Sequence, residues 1–244
     1  MGGLRIVSDP TFDEPGPQGY LTKTAGPAFD EAALGPVDVV LVSHEQHPDN
    51  LDVRGRALAM AAPVVLSTPS SAAALGDQAV GLAPWTSYSL PRRDGGGALR
   101  ILAVPAVHGP EDGERDADGN VNCEVTGFVL SGHGLPTLYI SGDNASIRTV
   151  AEISHRVPDI GVALLHAGAA RVPAKFEGRP LSLDSRRAAA AAAVLGVRTV
   201  VPAHYDGWSH FSEGAADLEL AFREAGLSSL LRKEPHGSWV ALRR

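Results

Sequence analysis

The chain has 244 residues, a formal net charge of −7, 44% hydrophobic and 20% charged residues, the balance of a globular protein long enough for one large domain. The acidic balance and the lack of a Lys/Arg tract argue against a nucleic-acid partner, and no apolar run approaches the roughly 18 residues of a membrane span. The start MGGLRIVSDP lacks the pattern of a secretory signal, and Cys123, the single cysteine, excludes an intrachain disulfide and fits a cytoplasmic setting.

GGLRIVSDPTFD reads as a strand running straight into a turn, as in a domain that lacks an earlier strand. Residues 13–36, rich in Pro and Gly, read as a long surface loop of the kind that rims active sites. VDVVLVS (37–43) is an uninterrupted apolar strand. Residues 52–62 are helix-like, and PVVLSTPSSAAALG (63–76) reads as strand, capped turn and helix. Residues 87–108 form a predicted hairpin turning at RDGGG, and 124–143 a second one turning at SGHGLP. From there helices and strands alternate. Residues 145–157, 184–196 and 214–226 are helical, 160–168 and 197–204 are strands, and SLLRKEPHGSWVAL closes with a turn and a last strand. Gly196 stands where the alanine-rich helix should stop. Meanders early and strand–helix alternation late predict two packed sheets with helices outside, in one domain over 1–244.

Four of these strands end in metal-type residues. His44 follows VDVVLVS, His108 follows ILAVPAV, Asp143 follows LYISG and His204 follows VVPA. Loops beyond strand ends commonly build sites in such folds, and imidazole with carboxylate suits zinc, iron or manganese. HEQHPDNLD adds His47, Asp49 and Asp52 within nine residues. Alone, that segment also matches a solvated polar loop; beside the other strand ends it reads as part of a metal centre. No GxSxG nucleophile element or Walker-type loop occurs.

Taken together, these segments resemble the metallo-β-lactamase superfamily, whose members are α+β, four-layer αββα sandwich hydrolases, and within it a lactonase-like branch related to ascorbate-6-phosphate lactonase. SDPTFD carries the family's early aspartate at Asp9, and LVSHEQHPDNLD stands where the family has H-x-H-x-D-H. PAVHGPE, LYISGD and VVPAHYDGWSHF carry the next positions. The resemblance implies His44, His47 and His108 around a first ion, Asp49 and His204 around a second, and Asp143 between them. One or two Zn2+ are expected, with Mn2+ or Fe2+ as alternatives. It also implies a metal-bound hydroxide attacking a small ester, lactone or related substrate, with Asp49 and Asp143 as the catalytic carboxylates.

The chain departs from the family motif in two places. Anchoring on Ser43–His44 makes His44 the first ligand with one residue inserted; anchoring on Asp49 puts Glu45 in that place. The family's last histidine is Asn50, a poor ligand beside imidazole, so a single ion with Asp49 as general base is the alternative. Tyr205, Asp206 and His210 should line the site, with Asp206 bonding a ligand histidine, and Asp52 orienting another. Asp9 reads as structural. His166 closes a strand and could face the same edge, Cys123 reads as a buried inert thiol, and Arg171 and Lys175 lie in a loop that could hold an anionic group. A phosphodiesterase of the same fold, and a non-catalytic metal-binding or sensing protein, stand as competing functions. Partners beyond a small molecule are not expected, and a homo-oligomer is left open.

Overall fold

Residues 1–242 are described by a computed structural model. The strands are β1 (Ile6–Ser8), β2 (Gly16–Gln18), β3 (Leu21–Lys23), β4 (Val39–Leu41), β5 (Val64–Ser67), β6 (Ala79–Gly81), β7 (Ser87–Pro91), β8 (Ala98–Pro105), β9 (Thr126–Ser131), β10 (Thr137–Ile140), β11 (Ile160–His166) and β12 (Thr199–Ala203). The α-helices are α1 (Val53–Ala61), α2 (Pro69–Leu75), α3 (Ile147–Arg156), α4 (Ser185–Leu195) and α5 (Ala215–Glu224). One sheet has the order β1-β4-β5-β6 with all pairs parallel. The second has the order β12-β11-β10-β9-β8-β7, parallel from β12 to β10 and antiparallel from β10 to β7.

Period-2 alternation sorts the strand residues into layers. Val39 and Leu41 of β4 meet Leu99, Ile101 and Ala103 of β8, with Phe128 and Leu130 of β9, between the sheets. Their neighbours Val40 and Val42 face the other way, toward Ala59 of α1 and Leu75 of α2. Leu102, Val104 and Val129 likewise face Val150, Ala188 and Phe222 of α3, α4 and α5. The result is helix, sheet, sheet, helix: the αββα sandwich. Local signals fix the helix ends. Thr68 caps α2, Ser146 caps α3 and Asp184 caps α4, each accepting a backbone N–H three residues on. Gly196 closes α4 at φ 64°.

Two segments differ from expectation. The loop 13–36 contains the β2–β3 hairpin, stabilised because Lys23 buries its ammonium against Asp52 at 3.1 Å. The expected final strand does not form: Leu231 makes one isolated bridge to Val200, and Trp239 is almost fully exposed. That stretch has too few inward apolar residues to add a sheet edge. No helix among the described residues is long and apolar enough to cross a membrane.

Candidate metal centre

Both sheets aim strand ends at one edge. Because β9 is antiparallel to β8 and β10, those two run the same way, together with β11 and β12. Their C-terminal ends deliver His108, Asp143, His166 and His204, while β1 and β4 deliver Asp9 and His44. Neighbouring strand ends of the second sheet approach closely here because of glycine. A Cβ on Gly142 would lie 2.6 Å from the Thr126 carbonyl oxygen, and one on Gly168 would lie 2.2 Å from that of His204. His204 itself adopts φ 56°, a strained backbone for a non-glycine residue at a strand end.

The first cluster is imidazole. His47 Nδ1 lies 2.8 Å from His44 Nε2 and 3.0 Å from His108 Nε2. Each outer ring is turned by a bond at its far nitrogen. His108 Nδ1 lies 2.7 Å from the Leu181 carbonyl oxygen, and His44 Nδ1 lies 3.0 Å from Ser43 Oγ. Ser43 is pinned in turn, donating its N–H to Asp9 Oδ1 at 2.7 Å and accepting from Thr126 N–H at 3.0 Å. Cys123 Sγ lies within 4.8 Å of the three ligand-type nitrogens.

The second cluster is mixed. Asp49 Oδ2 lies 3.0 Å from His204 Nε2 and 2.9 Å from His210 Nε2. Asp143 Oδ1 lies 3.5 Å from His204 Nε2 and 2.9 Å from His166 Nδ1. Asp143 Oδ2 is 3.8 Å from His108 Nε2, so this carboxylate stands between the clusters. His166 stacks on His204 with ring centroids 4.9 Å apart and turns its Nε2 to 3.8 Å from Asp9 Oδ2.

Burial separates the protonation states. It lowers His44 well below its ordinary value and His47 to about 4, helped in each by the His108 charge. Both are neutral donors of a lone pair at neutral pH. Burial also opposes charge on Asp49, Asp143 and His204, but their mutual attraction wins. Hydrogen bonds from His204 and His210 hold Asp49 below the usual carboxylate range, and the His204 charge with the His166 hydrogen bond holds Asp143 there. Asp143 and Asp49 raise His204 to about 9. Burial, with a smaller contribution from the Asp143 charge, pushes Asp9 up to about 6 against the lowering effects of His166 and Ser43.

The donor set fits metal ions. Asp49 Oδ1 and Asp143 Oδ2 are buried carboxylate oxygens without a hydrogen-bond partner. Leaving such an oxygen without a partner costs about 1–3 kcal/mol, more for a charged group, and a cation would satisfy both. Donors on bonds of about 2.1 Å to one ion stand roughly 3–3.4 Å apart, close to the spacing in each cluster. Above them lies a narrow cleft lined by Tyr20, His47, His108, Asn122, Lys175 and His210.

Of the residues expected here, His44, His47, Asp49, His108, Asp143 and His204 are brought together. Glu45 is not: its carboxylate pairs with Arg56 at 2.5 Å, because it lies on the opposite side of the turn from His44. Asn50 is wholly buried and donates to Ser43 Oγ at 3.3 Å. Asp52 orients no histidine; it caps α1 through Gly55 N–H at 2.7 Å and anchors Lys23. Tyr205 and Asp206 turn outward to His236, at 3.1 and 3.0 Å, so Asp206 braces no ligand. Arg171 is spent on Ser212 Oγ and the Gly178 carbonyl, whereas Lys175 lines the cleft and donates to Asn122 at 2.9 Å. Cys123 is nearer the centre than its sequence context suggests, and burial pushes its thiol up to about 12, where it stays protonated. Tyr20 lies in the 13–36 loop read as a site rim, but neither it nor Asn122 stood out as an individual residue in the sequence.

An αββα sandwich with imidazole and carboxylate clusters at one sheet edge defines a metal-dependent hydrolase of the metallo-β-lactamase type. Residues 4–205 match the Beta-lactamase superfamily domain, and the chain belongs to that superfamily. A UPF0173 metal-dependent hydrolase from Methanosphaerula palustris is 33% identical over 193 residues, spanning 77% of this chain and 75% of the relative. Another from Rubrobacter xylanophilus is 29% identical over 233 residues, spanning 93% and 84%. Among solved structures, an isothiocyanate hydrolase from Delia radicum gut bacteria superposes with a TM-score of 0.79 at 20% identity, covering 99% of this chain and 93% of that one. That likeness is one of fold.

Proposed function

We propose that the protein is a zinc-dependent hydrolase of a small ester, lactone or related electrophile, acting as one unit over 1–244 in the cytoplasm. The observation that carries this reading is the convergence of His47 Nδ1 on His44 Nε2 and His108 Nε2, at 2.8 and 3.0 Å. Three imidazoles suit zinc, with iron or manganese as alternatives where carboxylates contribute more. His44, His47 and His108 would hold one ion, Asp49 and His204 would contribute to a second, and Asp143 stands between them. When bound, such ions acidify a water toward a pKa of roughly 7 and polarise the attacked bond.

The chain's own groups supply the rest. The Leu181 carbonyl and Ser43 Oγ hold two imidazoles in orientation from their far side. Asp49, held ionised, acts as an acceptor and ligand; as a general base at neutral pH it would be weak. Burial, with Asp49 nearby, pushes the Tyr20 hydroxyl up to about 12, so it remains a hydrogen-bond donor at the cleft mouth. Lys175 places a cation beside it, 5.8 Å from the Tyr20 ring centroid, where it can receive an electron-rich end of the substrate. The narrow cleft beside Tyr20 and Lys175 suits a small molecule better than a polymer, and the lactonase-like branch fits that size.

The test is metal content of protein purified without chelator, followed by a panel of lactones, carboxylic esters, phosphodiesters and isothiocyanates. The isothiocyanates are included because of the fold neighbour. Bound zinc with ester or lactone turnover supports the reading, and turnover of phosphodiesters alone moves it to the phosphodiesterase class. A folded protein with no metal and no turnover sinks it.

A further inference from the structure

We infer that His210, carried on the loop after β12, completes the second metal position in place of the ligand lost at Asn50. This rests on the hydrolase reading above and deepens it. The sequence leaves the second position short of one imidazole. In space, Asp49 Oδ2 is approached by two imidazole nitrogens, His204 Nε2 at 3.0 Å and His210 Nε2 at 2.9 Å. Both side chains are nine-tenths or more buried, and Asp49 Oδ1 beside them has no partner. With Asp143 Oδ1 at 3.5 Å from His204 Nε2, two carboxylates and two imidazoles converge. That set takes a divalent transition-metal ion such as Zn2+, Fe2+ or Mn2+.

Asn50 is a poor substitute: its amide nitrogen donates to Ser43 Oγ beside His44, and its remaining atom, a buried Oδ1 without a partner, is a neutral amide oxygen and a weaker donor than imidazole. His166 is the other histidine in reach, but its two nitrogens face two carboxylates, Asp143 and Asp9. It is held on Asp143 Oδ1, the oxygen that also faces His204. Among the described residues, His210 makes no hydrogen bond from its side chain other than to Asp49, and its Nδ1 is without a partner. Its backbone is clamped from both sides: Arg171 N–H donates to the His210 carbonyl at 2.9 Å, and Ser209 N–H donates to Thr22 at 3.0 Å. Trp208, buried beneath the ammonium of Lys23 at 5.6 Å, anchors the same loop. The imidazole is therefore presented by a fixed backbone, as a ligand position requires.

The experiment is titration of chelator-treated protein with Co2+, read by visible absorption and by metal analysis after gel filtration, for the native chain, His210→Ala, His210→Gln and Asn50→Ala. Melting temperature checks that each variant folds. The native chain should take up two equivalents. Both His210 variants should keep the first and bind the second at least tenfold more weakly, with a changed Co2+ spectrum, while Asn50→Ala should bind both as the native chain does. Native uptake of both ions by the His210 variants overturns the inference, as does loss of the second ion in Asn50→Ala alone. One equivalent in the native chain overturns it and leaves the hydrolase reading standing; no metal in the native chain overturns both.

Discussion

Asp9 Oδ1 accepts the backbone N–H of Ser43 at 2.7 Å, joining the end of β1 to the first residue of the histidine loop. The bond holds Ser43, whose hydroxyl then holds His44. Asp9→Ala leaves a buried N–H without a partner and should destabilise the protein by about 1–3 kcal/mol. Asp9→Asn retains an acceptor oxygen and should lose clearly less. Urea denaturation of the two variants beside the native chain measures the difference, and equal losses would show that the carboxylate charge matters more than the bond.

The two registers of the HEQH segment have different consequences. His44→Ala removes a nitrogen from the imidazole cluster and should lower kcat/KM by more than about 100-fold, beyond the 10–100-fold typical of residues that only support a ligand. Glu45→Ala breaks an ion pair with Arg56, whose side chain is 41% exposed, and should cost at most about 1 kcal/mol with metal content unchanged. Metal analysis of both variants decides; loss of metal in Glu45→Ala would return the alternative register.

His204 makes the metal-free protein sensitive to alkali. Asp143 and Asp49 raise its folded value to about 9 from an ordinary 6.5, against the effect of burial. A raised value means that the folded state binds the proton more tightly. The stability it contributes is whole below about pH 6.5 and is lost as pH rises through about 9. The difference in melting temperature between metal-free native protein and His204→Gln should shrink across that window. A constant difference from pH 6 to 9.5, roughly, would contradict the assignment.

The same proton should appear in metal binding. His44 and His47 are already neutral at pH 7, whereas His204 must release its proton before it can donate a lone pair. Calorimetric titration in buffers of different ionisation enthalpy should therefore find about one proton released with the ion that takes His204. Equal proton release by both ions would argue against the separate protonation of the two clusters.

Gly168 sets how closely β11 approaches the His204 turn. A Cβ there would meet the His204 carbonyl oxygen at 2.2 Å and the Tyr205 Cα at 2.7 Å, both backbone atoms that cannot rotate away. Gly168→Ala should cost about 1–3 kcal/mol and displace His204. Denaturation together with metal affinity checks it, and an unaltered variant would show that the turn can relax.

Most of the architecture was legible because strand period and helix caps are local signals. The VDVVLVS run, the RDGGG turn and the stop at Gly196 each sit in a few consecutive residues. The β2–β3 hairpin was hidden because its support is a buried ion pair between Lys23 and Asp52, 29 residues apart. The closing strand failed for the converse reason, since its local pattern found no inward face to cover. The principal candidates His44, His108, Asp143 and His204 were readable because each directly follows a strand. Tyr205 and Asp206 bond His236 and not a ligand histidine, because adjacency to His204 says nothing of where a side chain finds its partner.

The sequence by itself determined the layers of the sandwich and the edge at which its strands deliver histidines and aspartates, because alternation and strand ends are encoded in neighbouring residues. Which imidazoles share a space was decided only by the tertiary structure. His210 meets Asp49 across 161 positions, and His166 meets Asp143 and Asp9 through strand pairings and sheet packing that no local pattern records. Register choice followed the same rule: a turn of a few residues between His44 and His47 sends Glu45 to Arg56 and leaves the imidazoles facing one another.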